Sequence, residues 1–122
     1  MPAADDALWQ ALCAMFADRP EIVRGKCFGS PSLYFVDPDA PVARGKRPRR
    51  RLFAFIHGDA VGLKLTPGMV DDLLGEEGFA PFTPYGMGQM KNWVLLTPES
   101  PQSLREHEEL LETSLAIVSG GR

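Results

Sequence analysis

The fold is decided by the stretch Arg51-Leu-Phe-Ala-Phe-Ile-His-Gly-Asp-Ala-Val-Gly-Leu-Lys-Leu65, which predicts a β-hairpin whose register can be counted. A two-residue turn at Gly58-Asp59 sets His57 opposite Ala60, and the remaining pairs follow outward along both strands. One face is then entirely apolar, and a slip of one residue would mix the two faces. The apolar face holds the pairs Ile56–Val61, Ala54–Leu63 and Leu52–Leu65, and the second face holds Phe55–Gly62 and Phe53–Lys64.

Helix and strand signals lie on both sides of this hairpin. Apolar residues recur with helical spacing from Leu8 to Phe16, after a capping aspartate, which predicts a first helix. Thr66-Pro67 and Ser100-Pro101 each pair a capping side chain with a proline at the first helical position, and so start two more helices. The predicted helices span about residues 5–18, 66–78 and 100–119, and further strands are predicted at residues 33–36 and 92–97, with one brief strand within residues 79–89.

The order of these elements is α-β-β-β-α-β(β)-α. Consecutive short strands followed by helices are typical of an α+β domain, in which helices pack on an antiparallel sheet in two layers. A chain of 122 residues is long enough to bury one such core. We therefore expect a single domain covering residues 1–122.

Composition narrows the class of protein. Hydrophobic residues make up 44% of the chain, and no apolar run approaches the roughly 20 residues that cross a bilayer, so we expect no contact with a membrane. The acidic first residues and the two cysteines, Cys13 and Cys27, favour a cytoplasmic protein with free thiols. Neither cysteine has zinc-ligand spacing to a histidine, so we expect no metal and no cofactor.

A basic run interrupts the otherwise acidic chain within and just after a proline-rich loop at residues 37–50. In proteins that bind nucleic acids without sequence preference, lysine and arginine side chains neutralise the phosphates. Nucleic-acid binding through this run is therefore one hypothesis. The alternative is a solvated surface loop. The run contains six of the 13 basic residues of the chain: Arg44, Lys46, Arg47, Arg49, Arg50 and Arg51.

Four motifs, taken in order, resemble the N-terminal domain of the TfoX/Sxy family of bacterial competence regulators, with the YjbR-like domains as the near alternative. The resemblance spans roughly residues 8–118. The motifs are Lys26-Cys-Phe-Gly-Ser30 with Leu33-Tyr34, Leu52-Phe-Ala-Phe-Ile56, Val61-Gly-Leu-Lys-Leu65 and Gly86-Met-Gly-Gln-Met-Lys-Asn-Trp-Val94.

The resemblance implies a sheet covered by helices and a regulatory interaction module without catalytic residues. It also implies a protein partner, or a second copy of the chain in a homodimer. The best-known members carry a second, C-terminal domain that we do not expect here. The proline- and arginine-rich insertion at residues 37–50 is a further departure from the family pattern.

Two other features invite a binding hypothesis. Phe53, Phe55 and Lys64 share a predicted face and would form a base-stacking platform, unless a helix covers the two phenylalanines; the ring of Phe55 is also expected to shield Gly62. Lys91 and Trp93 also share a face and would contact a ligand in a pocket between helices and sheet, unless Trp93 lies in the core. Such a pocket would make the protein a small-ligand-binding domain or an enzyme. The glycine-rich segment at residues 86–91 lacks the strand-then-helix context of a phosphate-binding loop.

Overall fold

The computed structural model of the chain describes residues 4–27, 29–38, 44–45, 49–84 and 88–120. No helix in these ranges is both long enough and apolar enough to span a membrane. In chain order the elements are α1 (Ala4–Met15), β1 (Ile22–Cys27), β2 (Ser30–Val36), β3 (Arg50–His57), β4 (Ala60–Lys64), α2 (Pro67–Leu73), β5 (Phe79–Pro81), β6 (Trp93–Leu96), a 3₁₀ helix (Gln102–His107) and α3 (Glu108–Ser119).

The six strands form one sheet in the order β1-β2-β3-β4-β6-β5, and every neighbouring pair is antiparallel. The α+β class and the antiparallel sheet are therefore confirmed. The sheet also contains β1, which the sequence did not predict. This strand lies at the edge and pairs only with β2, so its residues Arg24 and Lys26 stay exposed and break the apolar pattern expected of a strand.

The hairpin register is confirmed from the turn up to the pair Ala54–Leu63. Gly58 has a φ of +62°, a left-handed conformation that glycine adopts without strain. Beyond that pair the prediction is wrong. Leu33 pairs with Ala54 while Tyr34 pairs with Leu52, so Phe53 is the extra residue of a β-bulge.

The bulge moves Phe53 to the helix side of the sheet. Its ring packs edge-on against Phe16, which directly follows α1, with 5.5 Å between ring centroids, and is fully buried. Ser114 of α3 donates a hydrogen bond from Oγ to the carbonyl oxygen of Phe53 over 2.8 Å. Phe53 therefore belongs to the core and does not form a platform with Phe55.

All three α-helices and the 3₁₀ helix contribute to one core, on the face of the sheet that we call the inner face. The opposite face, which we call the outer face, carries Tyr34, Phe55, Gly62, Lys64 and Trp93, as strand alternation requires. The buried core residues are Leu8, Leu12, Phe16, Leu33, Phe35, Phe53, Ala54, Ile56, Val61, Leu63, Leu65, Val70, Val94, Leu96, Leu104, Leu111, Leu115 and Val118.

Two of the predicted helix caps are confirmed, whereas the aspartate cap of the first helix is wrong, because α1 already begins at Ala4 and so includes Asp5 and Asp6. Thr66 accepts a hydrogen bond from the backbone N–H of Met69 to Oγ1 over 3.3 Å. Ser100 accepts one from the N–H of Ser103 to its own Oγ over 3.2 Å, at the start of the final helical segment. These bonds satisfy backbone donors that have no partner within the helix, and so fix where each helix begins.

Candidate functional site

Four rings pack together on the outer face of the sheet, and we call them the aromatic cluster: Phe55, His57, Phe82 and Trp93. The ring centroid of Phe55 lies 5.1 Å from that of Phe82 and 5.3 Å from that of Trp93. His57 packs edge-on against both Phe55 and Phe82, at 6.5 and 5.7 Å. Phe55 is buried, Phe82 and Trp93 are half-buried, and His57 is exposed, so the cluster has a closed floor and an accessible rim.

The floor of the cluster depends on Gly62. Its partner across the β3–β4 ladder is Phe55, whose ring lies over the glycine so closely that a Cβ atom there would overlap it. This confirms the prediction that Phe55 shields Gly62. The missing side chain gives the ring room to lie flat on the sheet, where it supports Phe82 and Trp93.

A cavity of about 200 Å³ opens beside the cluster. It is smaller than the roughly 300 Å³ at which pockets for drug-sized ligands begin, so it suits one planar group or one side chain. Its walls are mainly apolar and include two phenylalanine rings, together with a thiol, two hydroxyls and an imidazole. The lining residues are Cys27, Ser30, Phe55, His57, Phe82, Thr83 and Pro84.

Strand pairing explains how residues distant in sequence reach this cavity. Cys27 pairs with Ser30 across the β1–β2 ladder, and Ser32 pairs with Phe55 across the β2–β3 ladder. Ser30 lies two residues before Ser32, and His57 lies two residues after Phe55. These two residues are therefore neighbours on the same face of the sheet. Sequence reasoning missed this group because Cys27 belongs to the unpredicted edge strand. The alternation of Phe55 and His57 was the one signal that could have indicated it.

A second ring lies on the outer face near the other end of β3. The guanidinium of Arg50 lies 4.7 Å from the ring centroid of Tyr34, a cation–π contact. The hydroxyl of Tyr34 donates a hydrogen bond to the carbonyl oxygen of Lys26 over 2.9 Å, and its ring covers Gly25. Partial burial raises the pKa of Tyr34, with a smaller rise from nearby Cys27 and a partial offset from the positive charge of Arg50.

The described residues of the basic run do not all lie on one face of the sheet. Arg44 and Arg49 are exposed, and Arg50 stacks on Tyr34 on the outer face. Arg51 turns to the helix side, where it donates a hydrogen bond from Nη1 to the carbonyl oxygen of Val118 over 2.7 Å. That carbonyl lies in the last turn of α3, where a positive charge is favourable. Two further members, Lys46 and Arg47, lie outside the described residues.

Trp93 lies on the outer face of the sheet and not between the helices and the sheet. Lys91 is exposed in the turn before β6, while Trp93 packs on Phe55 in the aromatic cluster. The helix-packed core does not include Trp93, and the lining of the 200 Å³ cavity includes neither residue. Gly86, the start of the glycine-rich segment, lies outside the described residues.

The two thiols are both free and half-buried. Burial raises the pKa of Cys13, and the positive charge of Arg24 opposes that rise. Within the described part of the chain, no group of three or more His, Cys, Asp or Glu side chains is placed to hold a metal ion.

Comparison with protein-family models, with curated proteins and with solved structures finds no match to this chain.

Proposed function

We propose that this protein is a non-enzymatic interaction module, similar to the N-terminal domain of the TfoX/Sxy regulators, that binds its partner with the outer face of the sheet. The observation that carries the proposal is the 200 Å³ cavity beside the aromatic cluster. Because the inner face is filled by the helices, the outer face is the part of the sheet that a partner can reach.

The chemistry of the cluster supports this role. Aromatic and methionine side chains are enriched where proteins make contacts, and they contribute most when they fill or line a pocket. Phe82 and Trp93 are half-buried, and Met90, whose side chain is exposed, is joined to both through the backbone. The N–H of Met90 donates a hydrogen bond to Phe82, and its carbonyl accepts one from Trp93.

The cavity residues act as walls in this proposal. His57 contacts the rings of Phe55 and Phe82 edge-on, which makes its imidazole part of the apolar rim. The two free thiols suit a reducing compartment, which supports a cytoplasmic location. The resemblance to the TfoX/Sxy regulators supports a bacterial origin and a regulatory role.

Site-specific photo-crosslinking tests the proposal. Benzoylphenylalanine would replace His57 on the outer face or, as the control, Glu109, an exposed residue of α3. After irradiation in extract of the source cells, we expect an adduct from position 57 and none from position 109. Equal adducts at both positions, or none at position 57, would contradict the proposal. Treating the adduct with nuclease then reports whether the captured partner is a nucleic acid, because only such an adduct returns to the size of the free chain.

A further inference from the structure

Charge is divided between the two layers of the molecule. The described strands contain no aspartate or glutamate but five lysines and arginines: Arg24, Lys26, Arg50, Arg51 and Lys64. The helices hold the opposite charge, because Asp71 and Asp72 lie in α2 and three glutamates lie in α3. The described strands are therefore basic and the helices acidic. Of the five strand cations, Arg50 and Lys64 lie on the outer face, while the other three alternate onto the inner face.

We propose that the partner of the outer face is a single-stranded nucleic acid. This inference rests on the proposed function and names its ligand. Proteins that bind single strands combine a cationic surface for the phosphates with aromatic side chains on which bases stack. The outer face brings both together, since Arg50 and Lys64 share it with the aromatic cluster.

The cations and the cavity lie at different positions along the strands of the sheet. Lys64 pairs with Trp93 across the β4–β6 ladder, at the end of the sheet where β3 begins with Arg50. The cavity lies toward the hairpin turn, about five residues further along β3, which is roughly 16 Å of extended strand. A strand of a few nucleotides would place one base against Phe55, His57 and Phe82 and its phosphates near Lys64 and Arg50.

Acidic residues near this path lie at its borders. Asp59 is in the hairpin turn next to His57, and Asp37 follows the last residue of β2. Both are loop residues beyond the ends of the strands. Two further exposed cations lie next to strands of the sheet in the chain. Arg49 adjoins the start of β3, and Lys91 adjoins the start of β6.

The lining of the cavity also suits a nucleobase, because it combines aromatic rings with hydroxyl groups. A nucleobase has two apolar faces and a polar edge, and the cavity has aromatic rings in its walls with Ser30 and Thr83 among its lining residues. Hydroxyl groups both donate and accept hydrogen bonds, so they can meet the edge of any base. We therefore expect weak preference among bases.

Fluorescence anisotropy with the full chain tests this inference. The probe is a fluorescein-labelled oligothymidine of twelve nucleotides, titrated at roughly 50 to 200 mM salt. We expect a dissociation constant of about 10⁻⁶ to 10⁻⁴ M, weakening with salt with a logarithmic slope of about −0.7 per phosphate contact. Arg50→Ala and Lys64→Ala should each reduce the slope by one contact, and His57→Ala should weaken binding about five-fold or more.

Arg105→Ala is the matched control, because it removes one exposed arginine from the helical layer. It should leave affinity unchanged within two-fold. An equal loss in this control, tighter binding of a duplex, or competition by thymidine monophosphate as effective as by the oligomer would each overturn the inference. Absence of binding at the lowest salt concentration would also overturn the inference. The proposal that the outer face binds a partner would then be decided by the crosslinking result alone.

Discussion

The ring of Phe55 occupies the space where a Cβ atom of Gly62 would stand on the neighbouring strand. The same arrangement recurs at the sheet edge, where the ring of Tyr34 lies 2.8 Å from the position of a Cβ atom on Gly25. Aromatic rings that cover strand glycines recover packing that a missing side chain would lose. Both pairs lie on the outer face, so the glycines set the shape of the proposed binding surface.

Gly62→Ala should destabilise the protein by about 1 to 3 kcal/mol, because the new methyl group must displace the ring of Phe55. Urea unfolding followed by circular dichroism measures the change. In a Phe55→Leu background the same substitution should be nearly neutral, since the planar ring no longer lies over the glycine. Equal destabilisation in both backgrounds would show that the ring is not the cause.

The control for this substitution is Gly68→Ala. Gly68 lies within α2, and no atom stands within 4 Å of the position of its Cβ. Alanine is the better helix former, so this variant should be unchanged or slightly more stable.

Ser114→Ala should destabilise the protein by about 1 to 3 kcal/mol, because it removes the buried hydroxyl that donates to the carbonyl oxygen of Phe53. The neighbouring Thr113→Ala removes a hydroxyl that bonds only within its own helix, to the carbonyl oxygen of Glu109. We expect that change to stay within about 0.5 kcal/mol. Thermal unfolding of both variants checks whether the hydrogen bond to the bulge stabilises the fold. Similar losses of stability in the two variants would contradict that role.

Two adjacent arginines of the basic run, Arg50 and Arg51, should differ in their effects on stability and on oligonucleotide binding. Arg51→Ala should lower the free energy of unfolding by about 1 kcal/mol, because it removes a charge-assisted hydrogen bond to the last turn of α3. It should affect oligonucleotide affinity no more than Arg105→Ala does. Arg50→Ala should weaken oligonucleotide binding with a smaller change in stability. The reverse pattern in the two measurements would contradict the assignment of the two side chains.

Alkylation of Cys13 should require a higher pH than alkylation of an ordinary thiol. Burial raises its pKa, so less of the reactive thiolate is present at any given pH. In a Cys27→Ser protein, the iodoacetamide rate should reach half its maximum above about pH 8.5, the ordinary cysteine value. Arg24→Ala should move that midpoint further up, because the arginine charge favours the thiolate. A midpoint at or below the ordinary value would contradict the prediction.

Local signals predicted much of the fold correctly. The hairpin register follows from a two-residue turn and period-two alternation, and the helix starts follow from Thr66 and Ser100, whose side chains bond to backbone within three residues. Each of these interactions spans a few residues, and so leaves its pattern in the sequence.

Nonlocal interactions account for what sequence reasoning missed. The bulge at Phe53 is stabilised by a serine 61 residues away, and β1 is stabilised as an edge strand by Tyr34. The cavity needs both β1 and the loop after β5, which meet only in the folded sheet. Trp93 was predicted either to contact a ligand beside Lys91 or to lie in the core, whereas it packs on Phe55 on the outer face.

The most direct test of the account uses the two tryptophans, Trp9 in α1 and Trp93 on the outer face. In a Trp9→Phe protein, addition of oligothymidine should quench the fluorescence of Trp93 with the dissociation constant found by anisotropy. In a Trp93→Phe protein, the fluorescence of Trp9 should not change. An unchanged Trp93 signal when the oligonucleotide is bound, or an equal response from Trp9, would contradict the assignment of binding to the outer face.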